Sequence, residues 1–262
     1  MKQPLVFAHR GSSHALPEHT LPAYLRAIDE GADGLECDVR LTSDGQLVCL
    51  HDRRLGRVSN GRGPVSGHTL AELDALDFSV GHPGGDEPIV DKPGGGAPAR
   101  VLTLDRLIGA AQEAGRPMRL LVETKHPSRF GAEVEDELIR ILRRYGLDKP
   151  DPDGLSVTMM SFSFGAVRRV REAAPHLPVV QLMEFLPPWL RYGRLPAGVR
   201  IAGPSVRLVR NHGWLVRRLH DQGNQVYVWT VNSPTDVDLM LDRGVEGIIS
   251  DRPRYVLDRL GR

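Results

Sequence analysis

Three observations predict a closed (β/α)8 barrel. Eight short runs rich in Val, Ile and Leu recur along the chain, and helical spacing separates most of them. No G-x-G-x-x-G follows the first run, as it would in an open dinucleotide-binding sheet. Within 262 residues, these units match a TIM barrel forming one domain over 1–262 better than a doubly wound sheet.

In chain order, "PLVFAH" (4–9) reads as the first strand and "TLPAYLRAIDEG" (20–31) as the first helix. "DGLECDV" (33–39) is the second strand, followed by the helix "TLDRLIGAAQEAG" (103–115), the strand "RLLVET" (119–124) and the helix "EVEDELIRILRRYG" (133–146). "LSVTMMSF" (155–162), "LPVVQLM" (177–183), "VRIAG" (199–203), "QVYVWTV" (225–231) and "GIISD" (247–251) complete the set, with the helix "SPTDVDLMLDRG" (233–244) before the last. The helices at 103–115, 133–146 and 233–244 each close on a Gly, which suits a helix C-terminus.

Two segments break this rhythm. Residues 53–100 are dense in Gly and Pro, which argues against a regular element; the segment follows the second strand on the functional side of a barrel and is predicted to cap the site. The other, "EFLPPWLRYGRLPAG" (184–198), carries Phe185 and Trp189 among prolines and reads as a loop packed on the barrel rim, with a lid or membrane-contact surface as the alternative.

Composition excludes several partners. Lys plus Arg total 34 against 33 Asp plus Glu, so no broad basic surface is available for nucleic acid, and phosphate recognition must be local. No run reaches the roughly 20 apolar residues of an integral membrane segment, and the apolar stretch before His9 is too short for a signal peptide. The only cysteines, Cys37 and Cys49, sit in apolar strand-like runs and read as buried thiols rather than a disulfide framework. A cytoplasmic location is expected.

Functional groups of such a barrel stand at the C-terminal ends of its strands. Alternation along a strand points Glu36 and Asp38 to one face, while Leu35, Cys37 and Val39 face the helices. Glu123 and Lys125 repeat the two-residue spacing on the next strand. Carboxylates converging there repel one another, and a hard cation with oxygen ligands, Mg2+ or Ca2+, relieves that repulsion most directly. The alternative is an ion pair with Arg10 or Lys125. His9 and His51 follow apolar runs beside this cluster, where imidazoles suit proton transfer as one acid and one base. Arg10 and Lys125 are candidate phosphate contacts. No Ser or Cys is paired with a base at a strand end, so attack falls to water or to a hydroxyl of the substrate.

The blocks "HRGSSHALPEHT" (9–20), "LECDVRLTSDGQLVCLHD" (35–52), "LVETK" (121–125), "SF" (161–162) and "VYVWTVN" (226–232) together resemble the glycerophosphodiester phosphodiesterases. The resemblance implies metal-dependent cleavage of a small-molecule glycerophosphodiester into glycerol 3-phosphate and an alcohol, through a cyclic 1,2-phosphate. Glu36, Asp38 and Glu123 are then metal ligands, His9 and His51 the acid and base pair, and Arg10 and Lys125 phosphate contacts. Trp229 lines the cleft or fills the barrel, Glu18 holds Arg10, and residues 53–100 form the family's cap. The chain departs from the family's Pro-Glu-Asn-Thr at His19, which is a poorer helix cap than Asn; Thr20 can take over, and His19 adds a pH-sensitive contact. A lysophospholipase D of the same superfamily and a non-catalytic phosphate-binding barrel are the alternatives.

Overall fold

A computed structural model describes residues 3–79 and 99–262. Among them, β1 (Leu5–His9), β2 (Gly34–Leu41), β3 (Leu47–Cys49), β4 (Met118–Thr124), β5 (Leu155–Ser161), β6 (Val179–Met183), β7 (Ile201–Pro204), β8 (Gln225–Val228) and β9 (Gly247–Ser250) form one sheet. All but β3 run parallel, and β1 pairs with both β2 and β9, which closes the predicted eight-stranded barrel. The short β3 is an antiparallel addition, pairing Cys49 with Val39. It uses the apolar run that ends before His51, so it sets where that histidine emerges.

The helices are α1 (Leu21–Asp29), α2 (Leu70–Asp74), α3 (Leu104–Gln112), α4 (Glu133–Arg144), α5 (Phe164–Ala173), α6 (Val206–Asn211), α7 (Leu215–Asp221), α8 (Pro234–Arg243) and α9 (Pro253–Arg259), all but α2 packed around the barrel. Sequence chemistry marks their ends. Thr103, Ser163, Ser205 and Ser233 cap α3, α5, α6 and α8 with their hydroxyls. In α4, Glu133, Glu135 and Asp136 occupy the first turn and Arg143 and Arg144 the last, which complements the helix dipole. Buried Glu135 also holds His126 after β4 (2.7 Å) and Arg169 of α5, so the loop leaving β4 is anchored.

The segment after β3 corrects one expectation. Residues 53–79 contain regular structure despite their glycines and prolines: two single 3-10 turns, then α2, which opens on a complete Thr69–Glu72 capping box. Val48, Leu55, Val58, Val65, Leu73 and Phe78 give this excursion its own small core. The rest of the predicted cap, residues 80–98, lies outside the described residues. In the other irregular segment, Leu190 is buried in the apolar layer shared with α6 and α7, and Phe185 stands 77% exposed. Thus 184–198 is packed on the rim through Leu190. No helix among the described residues is long and apolar enough to cross a membrane.

Two apolar layers fill the space between barrel and helices, and Cys37 and Cys49 lie in one of them as free buried thiols. A third cluster fills the barrel itself. Phe7 and Tyr227 pack with ring centres 5.3 Å apart, next to Leu121, Met160, Val180, Leu182 and Ile249. This plug separates the two mouths of the barrel. Gly34 makes room for it, since a Cβ there would lie 2.7 Å from the Phe7 ring and 2.6 Å from the Arg119 carbonyl oxygen. The backbone oxygen cannot yield, so Gly34→Val should cost about 1–3 kcal/mol of stability through overpacking. A lower urea midpoint at unchanged slope is expected, and an unchanged midpoint would refute this account of the plug.

Candidate active site

Register delivers the carboxylates. Glu36 lies beside His9 across the β1–β2 pair, and Asp38 beside Glu123 across the β2–β4 pair. Strand alternation then turns all of these side chains into the C-terminal mouth. His9, Arg10, Glu36, His51, Glu123, Lys125 and Trp229 line one cleft of about 180 Å3, with Phe162 beside them and Met160, Leu182 and Ile249 in its floor. Asp38 is buried among them, and Glu18 stands behind Arg10.

Asp38 is the most heavily contacted of the three carboxylates. Its Oδ1 is 3.2 Å from Lys125 Nζ, and its Oδ2 lies 2.9 Å from His19 Nε2 and 3.2 Å from Arg10 Nε. Burial alone would raise its pKa. The hydrogen bond from His19 and the charges of Lys125 and Arg10 outweigh that and hold its carboxyl well below the usual range. Both predicted ion-pair partners are therefore present. They do not suffice for the cluster: burial and the charge of Asp38 push Glu123 up to about 8, and burial with Asp38 and Glu123 pushes Glu36 well up.

The donor set fits a hard divalent cation. Glu36, Asp38 and Glu123 each offer an oxygen, all within 4.8 Å of one another, and oxygens on opposite sides of Ca2+ are separated by about twice its ~2.4 Å ligand distance. A cation there would also relieve the raised pKa of Glu36 and Glu123. Arg10 Nε, although close to Asp38 Oδ2, has no hydrogen bond among the described residues. Arg10 also lines the cleft, which places its guanidinium beside the space an anion would occupy.

Each histidine is held by a carboxylate of its own. His9 Nδ1 is 2.6 Å from Asp251 Oδ1. Asp251 also accepts from Asn232 and Ser13, and these hydrogen bonds with that of His9 outweigh burial and hold it at about 2. His51 Nδ1 is 2.8 Å from Asp52 Oδ1, and Arg40 donates twice to the His51 carbonyl. Burial pushes His51 down to about 4, helped by Arg10 and Lys125 and opposed by Asp38. Both rings present Nε2 to the cleft. Arg57, from the excursion after β3, donates to Glu18 and to Asp52, tying Arg10 and His51 to one guanidinium. Trp229 donates from Nε1 to the Gly203 carbonyl at 2.7 Å and meets Phe162 edge-on at 5.3 Å, so it both packs on the barrel plug and walls the cleft.

Sequence pattern gives no role to Asp251, Asp52, Arg57 or Phe162, and gives His19 only a weak capping position with a pH-sensitive contact. Asp251 carried a visible signal as the last residue of "GIISD", and Asp52 as the neighbour of His51. Arg57 carried none. Helix capping falls to Thr20, which accepts from the Ala23 N–H, and not to His19. The imidazole is buried instead. Its backbone is left-handed at φ +59°, and its Nδ1 lies 2.8 Å from the Tyr24 hydroxyl, which also reaches the Glu36 carbonyl. Burial pushes its pKa down despite Asp38; a neutral ring that donates from Nε2 to the carboxylate accepts at Nδ1 from the Tyr24 hydroxyl, whose one proton is then shared between Nδ1 and the more distant Glu36 carbonyl.

His19→Ala removes the hydrogen bonds to Asp38 and Tyr24 and should cost about 1–3 kcal/mol. His19→Asn should cost less, because Asn tolerates the left-handed backbone and can still donate. Denaturant midpoints of the two variants test this ordering; equal losses would show that the ring only fills space.

Comparisons with known proteins place the chain among relatives of one family. The profile of the "Glycerophosphoryl diester phosphodiesterase family" matches residues 9–255. A Mycobacterium tuberculosis protein named "Probable glycerophosphodiester phosphodiesterase 1" is 45% identical, over 95% of this chain and 90% of its own length. A "Glycerophosphodiester phosphodiesterase" from Caldanaerobacter subterraneus subsp. tengcongensis is 30% identical, over 97% of this chain and 96% of its own. Among solved structures, an Oleispira antarctica phosphodiesterase in complex with the product sn-glycerol-3-phosphate superposes with a TM-score of 0.81 at 24% identity, covering 99% of this chain and 97% of that one.

Proposed function

Because the chain belongs to the glycerophosphoryl diester phosphodiesterase family, we propose that it hydrolyses a glycerophosphodiester to glycerol 3-phosphate and an alcohol, with Mg2+ or Ca2+ on Glu36, Asp38 and Glu123 and with His9 and His51 exchanging protons. One observation carries this reading: three carboxylate oxygens converge within 4.8 Å in a cleft that also holds two histidines, each braced by a separate carboxylate. The cation would neutralise phosphate charge.

His51, held neutral, is suited to accept a proton from the attacking hydroxyl. His9, backed by the ionised Asp251, is suited to deliver one from Nε2 to the departing alcohol. Lys125 and the guanidinium of Arg10, which both line the cleft, offer donors to the phosphate, while Glu18 braces Arg10. Trp229 and Phe162 wall the side where the glycerol carbons pack. The attacking oxygen is the glycerol 2-hydroxyl, since internal attack can gain roughly 7–11 kcal/mol from proximity in well-oriented cases; it releases the alcohol and leaves a cyclic 1,2-phosphate, whose ring water then opens to give glycerol 3-phosphate. Residues 53–79 cap this site, a role supported by the reach of Arg57 to Glu18 and Asp52. A lysophospholipase D is the second reading, favoured only by exposed Phe185 beside Glu184 of the cleft; faster turnover of lysophospholipid than of glycerophosphocholine would select it.

Chelation should abolish turnover of glycerophosphocholine, with Mg2+ or Ca2+ restoring it better than Zn2+. Asp38→Asn should weaken cation binding measured by calorimetry, and the substrate analogue lacking the 2-hydroxyl should be inert. Full activity after exhaustive metal removal would overturn the proposal.

The second test concerns pH. A group with a depressed folded pKa stays neutral down to that value, so kcat/KM should hold below the ordinary histidine range and fall only as pH drops toward about 4. In His51→Gln turnover should drop on the order of 10²- to 10⁴-fold and this acid limb should vanish. An acid limb centred at the ordinary value of about 6.5 would argue against His51 as base.

A further inference from the structure

We infer that the N-terminal mouth of the barrel, opposite the catalytic cleft, is a second binding site that takes an organic phosphate of nucleotide size. A cavity of about 710 Å3 opens there, within the roughly 300–1,000 Å3 typical of small-molecule sites. It shares no lining residue with the catalytic cleft. The Phe7–Tyr227 plug stands between the two.

Charge at this mouth is one-sided. Arg119, Arg171 and Arg200 line it together with His176, and no carboxylate among the described residues does. The side chains of Arg119 and Arg200 make no hydrogen bond or ion pair among the described residues, and that of Arg171 reaches only the Ala197 carbonyl. Arg262, bonded to Asp33 just ahead of β2, shows the contrasting arrangement in which a guanidinium at this end is neutralised. Glu246, within electrostatic range of Tyr227, is committed to the Val226 N–H and to His220. Uncompensated cations around one concavity favour an anion, and the planar guanidinium fork matches phosphate oxygens.

The interior supplies the rest of the specificity. Tyr227 is only 7% exposed, yet its hydroxyl has no hydrogen-bond partner among the described residues, and neither does that of Thr158. Both hydroxyls open onto the cavity, that of Thr158 from a half-buried residue, and leave their hydrogen-bonding capacity to a ligand there. Next to them the ring of Phe7 and the side chains of Leu121 and Ile201 form an apolar wall. A polar rim, two free hydroxyls and an aromatic wall suit a phosphate carried on a ring-bearing body better than free phosphate.

The inference is independent of the catalytic reading, and ADP is a suitable probe. Calorimetric titration of the full chain with ADP, in saturating glycerol 3-phosphate to occupy the catalytic cleft, should show binding, whereas adenosine should show none. Arg119→Ser/Arg200→Ser should weaken ADP at least tenfold and Tyr227→Phe severalfold, with unchanged melting temperatures showing that the fold is intact. Absence of ADP binding, ADP affinity unaltered in the double variant, or loss of ADP binding on addition of glycerol 3-phosphate would each overturn the proposal.

Discussion

The buried carboxylate of Asp38 is the point on which the catalytic end is organised. It receives a hydrogen bond from His19, lies against Arg10 and Lys125, and sits beside Glu123 in register. These partners come from different parts of the chain: Arg10 and His19 from the loop after β1, Lys125 from the end of β4. That loop bends through left-handed residues at Arg10, Gly11 and His19, the first and last of them non-glycine positions. Backbone strain at non-glycine residues persists only where surroundings over-determine it, and the carboxylate provides that determination.

Such a cluster is a poor way to stabilise a protein. Buried ion pairs roughly break even against apolar packing of equal volume, while losing one partner costs about 3–5 kcal/mol. Stability comes instead from the two barrel–helix layers and the plug, where apolar burial contributes about 25 cal/mol per Å2. Burial first, and then the neighbouring carboxylates, hold Glu36 and Glu123 above the usual carboxylate range despite Arg10 and Lys125. Carboxylates held this way are pre-organised for a cation, since folding has already opposed their repulsion.

The excursion after β3 extends this control beyond the barrel. Its own small core fixes Leu55 and Val58, and between them Arg57 reaches Glu18 and Asp52. One guanidinium thereby steadies both the residue that holds Arg10 and the residue that orients His51. A plug of large apolar side chains across the barrel lets the two mouths carry different chemistry, one dominated by carboxylates and the other by unpaired arginines.

Local pattern determined a great deal. The alternation of Glu36 and Asp38 with Leu35, Cys37 and Val39 decides which side chains face inward, because a strand repeats every two residues. The count and spacing of apolar runs determine the closed barrel. Helix ends follow from single residues such as Thr103, Ser233 and Gly244, whose capping is local chemistry. The irregular look of 53–79 misled because Gly and Pro density hides the short, well-capped α2. Tertiary structure alone decided the partnerships. His9 meets Asp251 across 242 residues, and Arg57 meets Glu18 across 39, because barrel closure brings β1 beside β9 and the excursion beside the first loop. His19 was legible as a departure from a motif, but its burial against Asp38 depends on a left-handed turn that no local propensity for His would have placed.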